Sequence, residues 1–420
     1  MLRKIIACDE NILALPYDKP LSPYAFDSAG AYRLLQEPSF VNNSLERVRP
    51  GLYPSLGDPF MDDLFRIRLS SSYIKLRGKS MSLSALADIP KDYISYRSDH
   101  VSDAALIGRI IGTHLKLNIA LIEAIIAGHD IGHTPFGHGG ERAIQKILDE
   151  FEVYDSTLRE KRIKFFNHPA QSVRILNELK NKNEGINPTF QTLDGIMCHN
   201  KKNFQQIMTY KKDKTMGEFL AQYKNSLYIK GVLDNPEPMT LEGVVAKVAD
   251  LISYIGKDII DAIRINRITR QDIKEETIRY LIKLRKNEKI EEIPLDLINS
   301  RIIQNVLTDV IKNSKGKDHL EFSPEIYNAL KVTREFILSF DPDMESGLQR
   351  KIDNIIRTLF IKYTDDLKNN NTESTIFTKF LKYKSIPYQK FTDPGRMAID
   401  HIAGMTNDYL LKEFEEYTLP

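Results

Sequence analysis

Cysteine is nearly absent from this 420-residue chain: Cys8 and Cys198 are its only two. Two thiols so far apart exclude a disulfide framework and a zinc site built from cysteines, and they suit a reducing, cytoplasmic compartment. Long apolar runs are missing as well. The basic start MLRKIIACDENILALPYDK holds only a short apolar stretch, broken by Cys-Asp-Glu-Asn, so neither export nor a membrane span is expected. Charge of one sign is not in excess either: 59 Lys and Arg against 57 Asp and Glu give a net +2. That excludes a global nucleic-acid signature and leaves only local patches open. No block of alternating apolar and polar residues marks a sheet, and no tandem repeat is present. What remains is helical periodicity, so the expected fold is all-α.

Residues 1 to 60, rich in Pro, Tyr and Ser, read as an N-terminal arm lying over the rest of the protein or a neighbour. The spacing of Leu64, Ile67 and Ile74 predicts a helix over 61–79, ended at Gly78. A looser segment follows, then an amphipathic run from Ala104 to Leu117 with Ser102 or Asp103 as its N-cap. A strong helix is expected from Leu241 to about Asn266, opened by Thr240. Residues 271 to 420 are charged, helix-period segments joined by short loops. The organisation expected is an arm (1–60), a helical core (61–270) and a C-terminal helical region packed on it (271–420).

Chemistry concentrates in residues 129 to 141, HDIGHTPFGHGGE, where three imidazoles and two carboxylates occupy thirteen positions between two helical runs. Its glycines and Pro135 allow a sharp turn and a close approach of backbone to a ligand. His129 and Asp130, adjacent at a helix end, can both reach one divalent cation, and mixed N and O donors suit Zn, Mn, Fe or Co better than Ca. Two ligands do not make a site. His100 lies one helix earlier, and Asp250 sits inside the apolar run VVAKVADLISYIG, where an unpaired carboxylate is costly; the alternatives are a capping His100 and a salt-bridged Asp250. At 100° per residue, Tyr254, Asp258 and Asp261 fall about 40°, 80° and 20° from Asp250, a stripe that reads as a cleft wall, with Asp261 its most structural member.

His133 can hydrogen-bond an anionic substrate. His138, three residues before Glu141, can be oriented by that carboxylate in a general acid/base dyad; the alternative is a pair of loop-stabilising histidines. Arg97, one helical turn before His100, is a phosphate clamp if helical, or a surface arginine. His114, His168, His199, His319 and His401 lack such company and read as structural.

The order His100, His129-Asp130, Asp250 reproduces the H…HD…D pattern of the HD phosphohydrolase superfamily, and HDIGHTPFGHGGE resembles the signature of its dGTPase-like deoxynucleoside triphosphate triphosphohydrolases. The resemblance continues through NHPAQSVRIL (167–176), LDGIMCHN (193–200), ADLISYIGKDIIDA (249–262), RIIQNVLTDVIKNS (301–314) and DHIAGMTNDY (400–409). It implies an HD-domain helical bundle with additional C-terminal helices and one divalent metal (Mn, Mg, Zn, Fe or Co) held by His100, His129, Asp130 and Asp250. It places Arg97 and His133 at the α-phosphate, His138 with Glu141 at the scissile bond, and Tyr254 and Asp258 at the deoxyribose. Base preference is left open, because no glutamine can be placed near the sugar in YIKLRGK.

The function expected is metal-dependent hydrolysis of 2'-deoxynucleoside 5'-triphosphates to deoxynucleoside and inorganic triphosphate. The alternatives are another HD phosphohydrolase, acting on nucleotide monoesters or diesters, and a nucleotide-sensing or single-strand-binding protein using segments such as KKNFQQIMTYKKDK. The expected partners are a dNTP substrate, an allosteric nucleotide, single-stranded nucleic acid under the last alternative, and further copies of the chain in a homo-oligomer.

Overall fold

The computed structural model describes residues 58–81, 94–155, 161–200, 204–264, 266–273, 276–285, 288–339 and 346–418. The arm expected at residues 1 to 60 lies almost wholly outside the described residues, as does most of the looser segment before Arg97.

Helix α1 (Pro59–Arg68) starts where the Asp58 carboxylate accepts from the Phe60 and Met61 amides and Pro59 supplies a preset φ. It does not run on to Lys79, as the periodicity predicts. Ser70 accepts from the Tyr73 amide and opens a separate turn, Ser71–Ile74, continued by a 3₁₀ turn, Lys75–Gly78. A serine side chain offers the backbone an alternative to the helical ladder, and here it wins. Gly78 is required by crowding, since a Cβ there would stand 2.8 Å from Thr406 Cγ2.

Helix α2 spans Arg97–His114 and begins about two turns earlier than the pattern suggests. The expected caps Ser102 and Asp103 lie inside it. Tyr96 holds the N-cap position, and the Asp103 carboxylate accepts instead from Lys257 Nζ at 2.7 Å. The earlier start carries Arg97 and His100 into the interior, each 2% exposed. Helix α3 (Ile119–His129) is capped by Asn118, whose Oδ1 accepts from Leu121 N at 3.0 Å. Its residues from Ala120 to His129 are all buried, as expected of a helix apolar on every side.

The chain continues through α4 (Gly137–Glu150), α5 (His168–Arg174), α6 (Phe190–Met197), α7 (Met216–Ser226) and α8 (Leu241–Arg264). α8 is the central element. It packs against α2, α3 and α6, and also against α10 (Leu295–Ser314) and α11 (Pro324–Leu338), which follow the short α9 (Glu276–Ile282). Val244, Val248, Leu251, Ile255 and Ile259 are buried along it, each stabilising the fold by roughly 1.5–3 kcal/mol. Leu251→Ala should therefore cost about 2–5 kcal/mol.

Three longer helices close the chain, α12 (Ser346–Lys368), α13 (Pro394–Ala403) and α14 (Asn407–Thr418), with a short helical turn, Ile386–Phe391, before α13 and with α12 packed on α4, α13 and α14. A buried ion pair ties α13 to the core. Arg174 of α5 donates to both Asp400 oxygens, through Nε at 3.1 Å and Nη2 at 2.8 Å; Gln171 Nε2 and the Tyr388 hydroxyl also donate to that carboxylate, and Arg396 Nη2 lies 3.5 Å from its Oδ1. Removing one member would strand a buried charge at a cost of about 3–5 kcal/mol. Among the described residues the only named strands are Ile207–Met208 and Leu320–Glu321, antiparallel, with Ile207 opposite Glu321. The fold is all-α.

Candidate metal centre and catalytic pocket

Two helix termini and one helix middle meet at a single point. α2 contributes Arg97 and His100 from its first turn, α3 ends on His129 with Asp130 as its C-cap, and α8 supplies Asp250. His100 Nε2 lies 3.1 Å from Asp250 Oδ1 and 3.8 Å from Asp130 Oδ2; His129 Nε2 lies 3.3 Å from Asp130 Oδ1 and 3.8 Å from Asp250 Oδ1. One ligand atom each from His100, His129 and Asp250 falls within a 4.8 Å span.

Hydrogen bonding fixes the imidazole tautomers. His129 Nδ1 lies 2.7 Å from the Ile126 carbonyl, which can only accept, so Nδ1 carries the proton and Nε2 presents a lone pair to the carboxylates. Ser253 donates its hydroxyl to the Asp250 carbonyl and therefore accepts from His100 Nδ1 at 3.1 Å, leaving His100 Nε2 as a second lone pair. Two lone pairs and two carboxylates crowded into a buried volume fit a divalent cation, and outer partners of this kind orient metal-binding imidazoles.

Asp130 is the hub. Burial alone would raise its pKa, but the Arg97 guanidinium, together with the hydrogen bond from His133, more than offsets this and holds it well below the usual carboxylate range. Arg97 Nη1 donates to its Oδ2 at 2.7 Å, and His133 Nε2 lies 3.2 Å from its Oδ1. His133 is kept neutral, its pKa pushed down to about 3 by burial and by Arg97 and His168.

The loop between α3 and α4 turns on Phe136, a non-glycine residue with φ 61° that costs roughly 1–2 kcal/mol in this left-handed region. Gly137 follows with φ 57°, and a Cβ there would meet the Met81 carbonyl at 2.3 Å. Helix α4 therefore leaves at a fixed angle with His138 and Glu141 on its first turn.

The sequence pairs Glu141 with His138; the structure surrounds it with three imidazoles. Glu141 Oε1 makes its closest contact with His133 Nδ1, lies 3.0 Å from His168 Nδ1, and stands 3.7 Å from His138 Nδ1. The His138 side chain is 61% exposed, whereas those of His133 and His168 are at most 11% exposed. Burial would raise the Glu141 pKa, but His168 and His133 hold it well below its ordinary value. His168 also stacks on His133 at 3.5 Å, and its Nε2 lies 3.0 Å from Nε2 of His199. His168 and His199, expected to be structural, thus join the site. Their only signal in the sequence is that NHPAQSV and LDGIMCH lie within the wider resemblance. His114, His319 and His401 stay outside it.

On α8, Tyr254, Lys257, Asp258 and Asp261 are partly exposed on a helix otherwise buried from Leu241 to Ile260. Asp261 accepts from Ser95 Oγ at 2.5 Å, a structural bond. Burial raises the Tyr254 hydroxyl's pKa, with Arg334 of α11 and Asp258 acting on it in opposite senses. Arg334 gave no sign in the sequence.

The HD domain model matches residues 97–255, the stretch that holds all four clustered ligand candidates. The deoxyguanosinetriphosphate triphosphohydrolase-like protein of Caldanaerobacter subterraneus subsp. tengcongensis is 28% identical over 404 residues, covering 96% of this chain and 93% of that protein. Proteins with the same printed name from Clostridium tetani and Pelagibacter ubique are each 29% identical, covering 86% and 84% of this chain and 86% and 91% of their own lengths. These matches support an HD-domain, dGTPase-like family. They also support a metal-dependent nucleotide phosphohydrolase. In this HD protein no helix among the described residues is long and apolar enough to cross a membrane.

Proposed function

We propose that this HD-domain protein hydrolyses 2'-deoxynucleoside 5'-triphosphates at the bond between O5' and the α-phosphorus, releasing deoxynucleoside and inorganic triphosphate. The observation that carries the reading is the adjacency of two built groups: the His100, His129, Asp130 and Asp250 cluster, and the Glu141 carboxylate ringed by His133, His138 and His168. One can hold a cation at the phosphate, and the other can move a proton at the leaving oxygen.

His100, His129, Asp130 and Asp250 would hold a divalent metal, which when bound neutralises phosphate charge and acidifies water. Arg97, anchored to Asp130, offers its remaining N–H groups to the α-phosphate oxygens. His133, neutral and fixed between Asp130 and Glu141, keeps those two carboxylates at a set distance. His138 is the exposed imidazole of the group, so it is the one that can reach O5' and protonate it as the P–O bond breaks. Glu141 and His168 hold the charge that balances that proton. Tyr254 and Asp258, one and two turns beyond Asp250, line the way out of the pocket where the sugar lies, with Arg334 beside them for the outer phosphates.

The test is incubation of purified protein with Mn or Mg and each dNTP, with products resolved by chromatography. Deoxynucleoside and triphosphate support the reading. Monophosphate with pyrophosphate, diphosphate with phosphate, or turnover of monoesters or diesters alone would replace it with another HD chemistry.

A further inference from the structure

We propose that Asn407 is a positioning residue for the catalytic loop, and that the corner joining α13 to α14 is the brace on which this loop rests; its catalytic consequence depends on the phosphohydrolase reading above. Asn407 is 5% exposed, at the start of the last helix. Its Oδ1 accepts from Phe136 N at 3.0 Å, and its Nδ2 donates to Ser80 Oγ at 2.8 Å. An amide N–H can only donate, so the Phe136 contact fixes which way the side chain faces, and both ends of the amide are committed.

Phe136 is the residue at which the loop reverses. It holds the left-handed conformation, it is fully buried, and α4 begins immediately after it with no side-chain cap of its own. His133 precedes it by three positions, and His138 and Glu141 follow within the next five. The angle at which α4 leaves Phe136 therefore sets the distance between the imidazoles on either side. That angle is held from outside the loop, by a residue 271 positions away.

A second contact from the same corner reaches the other side of the loop. Lys79, 1% exposed, donates from Nζ to the Ala403 carbonyl at 2.9 Å, to the His133 carbonyl at closer range, and to the Ile131 carbonyl at 3.5 Å. Gly78 abuts Thr406 with no room for a side chain. The C-terminal corner thus grips the loop before His133 through Lys79 and after it through Asn407. The metal-ligand cluster receives no contact from Asn407 among those described, so losing this residue should disturb the proton-transfer half of the site and spare the metal half.

The experiment compares full-length wild type, Asn407→Leu and Asn407→Asp, each loaded with Mn. Leucine keeps the shape and removes both hydrogen bonds; aspartate keeps the acceptor for Phe136 N–H. Metal content, kcat, KM for a dNTP and exchange of the Phe136 amide are measured. Asn407→Leu should bind a full complement of Mn and keep KM within about threefold, yet lose kcat by roughly 10- to 100-fold, the scale of an ångström of misplacement. Its Phe136 amide should exchange at least about tenfold faster, while exchange in α3 and α8 stays at the wild-type rate. Asn407→Asp should rescue both kcat and protection. Wild-type kcat and exchange in Asn407→Leu overturn the proposal, and so does a loss shared equally by aspartate with protection falling in every helix. Should Asn407→Leu fail to fold, Asn407→Ala removes the same two hydrogen bonds without leucine's branched bulk; wild-type Phe136 exchange there overturns the brace. If wild type releases no triphosphate from any dNTP, the phosphohydrolase reading fails on its own, and Phe136 exchange still decides whether the brace exists.

Discussion

Glu141 Oε1 lies 3.0 Å from His168 Nδ1 but 3.7 Å from His138 Nδ1, so the carboxylate is held by the buried imidazole and only approached by the exposed one. Such an arrangement fixes Glu141 from the buried side and presents the His138 imidazole, 61% exposed, toward solvent and a substrate.

His138→Ala should keep its metal and lose about 10²- to 10⁴-fold in turnover, the usual contribution of a positioned acid or base. His168→Ala should lose less, and the His168→Ala, Glu141→Gln double variant should be little worse than the poorer single, because the two act as one unit. Steady-state kinetics on the four proteins decides this. Independent, additive losses would separate His168 from Glu141.

Asp130→Ala and Asp250→Ala should each abolish bound metal and activity, since losing one carboxylate removes both charge and chelation from a four-ligand site. Circular dichroism should show near-native helix in Asp250→Ala. Metal analysis is the measurement; wild-type occupancy in both variants would contradict the assignment.

The open face of α8 makes a prediction about the sugar. A tyrosine ring against C2' leaves no space for a hydroxyl, so the wild type should prefer dGTP to GTP by more than the ~10² rejection that an apolar pocket alone gives. Tyr254→Ala should relax this ratio of kcat/KM values. Asp258→Asn should weaken every deoxynucleotide alike. An unchanged ratio in Tyr254→Ala would remove this face from sugar recognition.

His401 sets an acid limit on stability. Burial among Tyr363 and Phe380 pushes its pKa from 6.5 down to about 3, with Glu413 partly opposing this and Lys75 reinforcing it. Below pH 6.5 the unfolded chain binds a proton that the folded imidazole does not accept until about pH 3. Stability is thus intact above the unfolded value and falls as pH drops through this window, by on the order of 2 kcal/mol at pH 5. Melting curves should show a smaller drop between pH 7 and pH 5 for His401→Phe than for wild type. Equal drops would show that His401 is not the group responsible.

Much of this was legible in the sequence, for identifiable reasons. The apolar periodicity of Leu241 onward required a buried helix, and a carboxylate at Asp250 within it required a partner, which the structure supplies as His100. The early start of α2 was not legible, because Tyr96 offers no capping side chain and the polar run Arg97, Ser98, Asp99 looks like a loop. His168 and His199 carry no local signal in the sequence because each is alone in its own segment; only the packing of α5 and α6 brings them to His133 and His129. Lysine and asparagine are types found mostly at the surface, and the burial of Lys79 and Asn407 depends on contacts hundreds of residues apart.

The central claim, that water attacks the α-phosphorus and the deoxynucleoside leaves through O5', is tested most directly by hydrolysing a dNTP in ¹⁸O-labelled water with the Mn-loaded enzyme and reading the products by ³¹P NMR and mass spectrometry. The account predicts one labelled oxygen on a terminal phosphate of inorganic triphosphate and none in the deoxynucleoside. Label in the deoxynucleoside, or label in a monophosphate or free phosphate with no triphosphate formed, would contradict it.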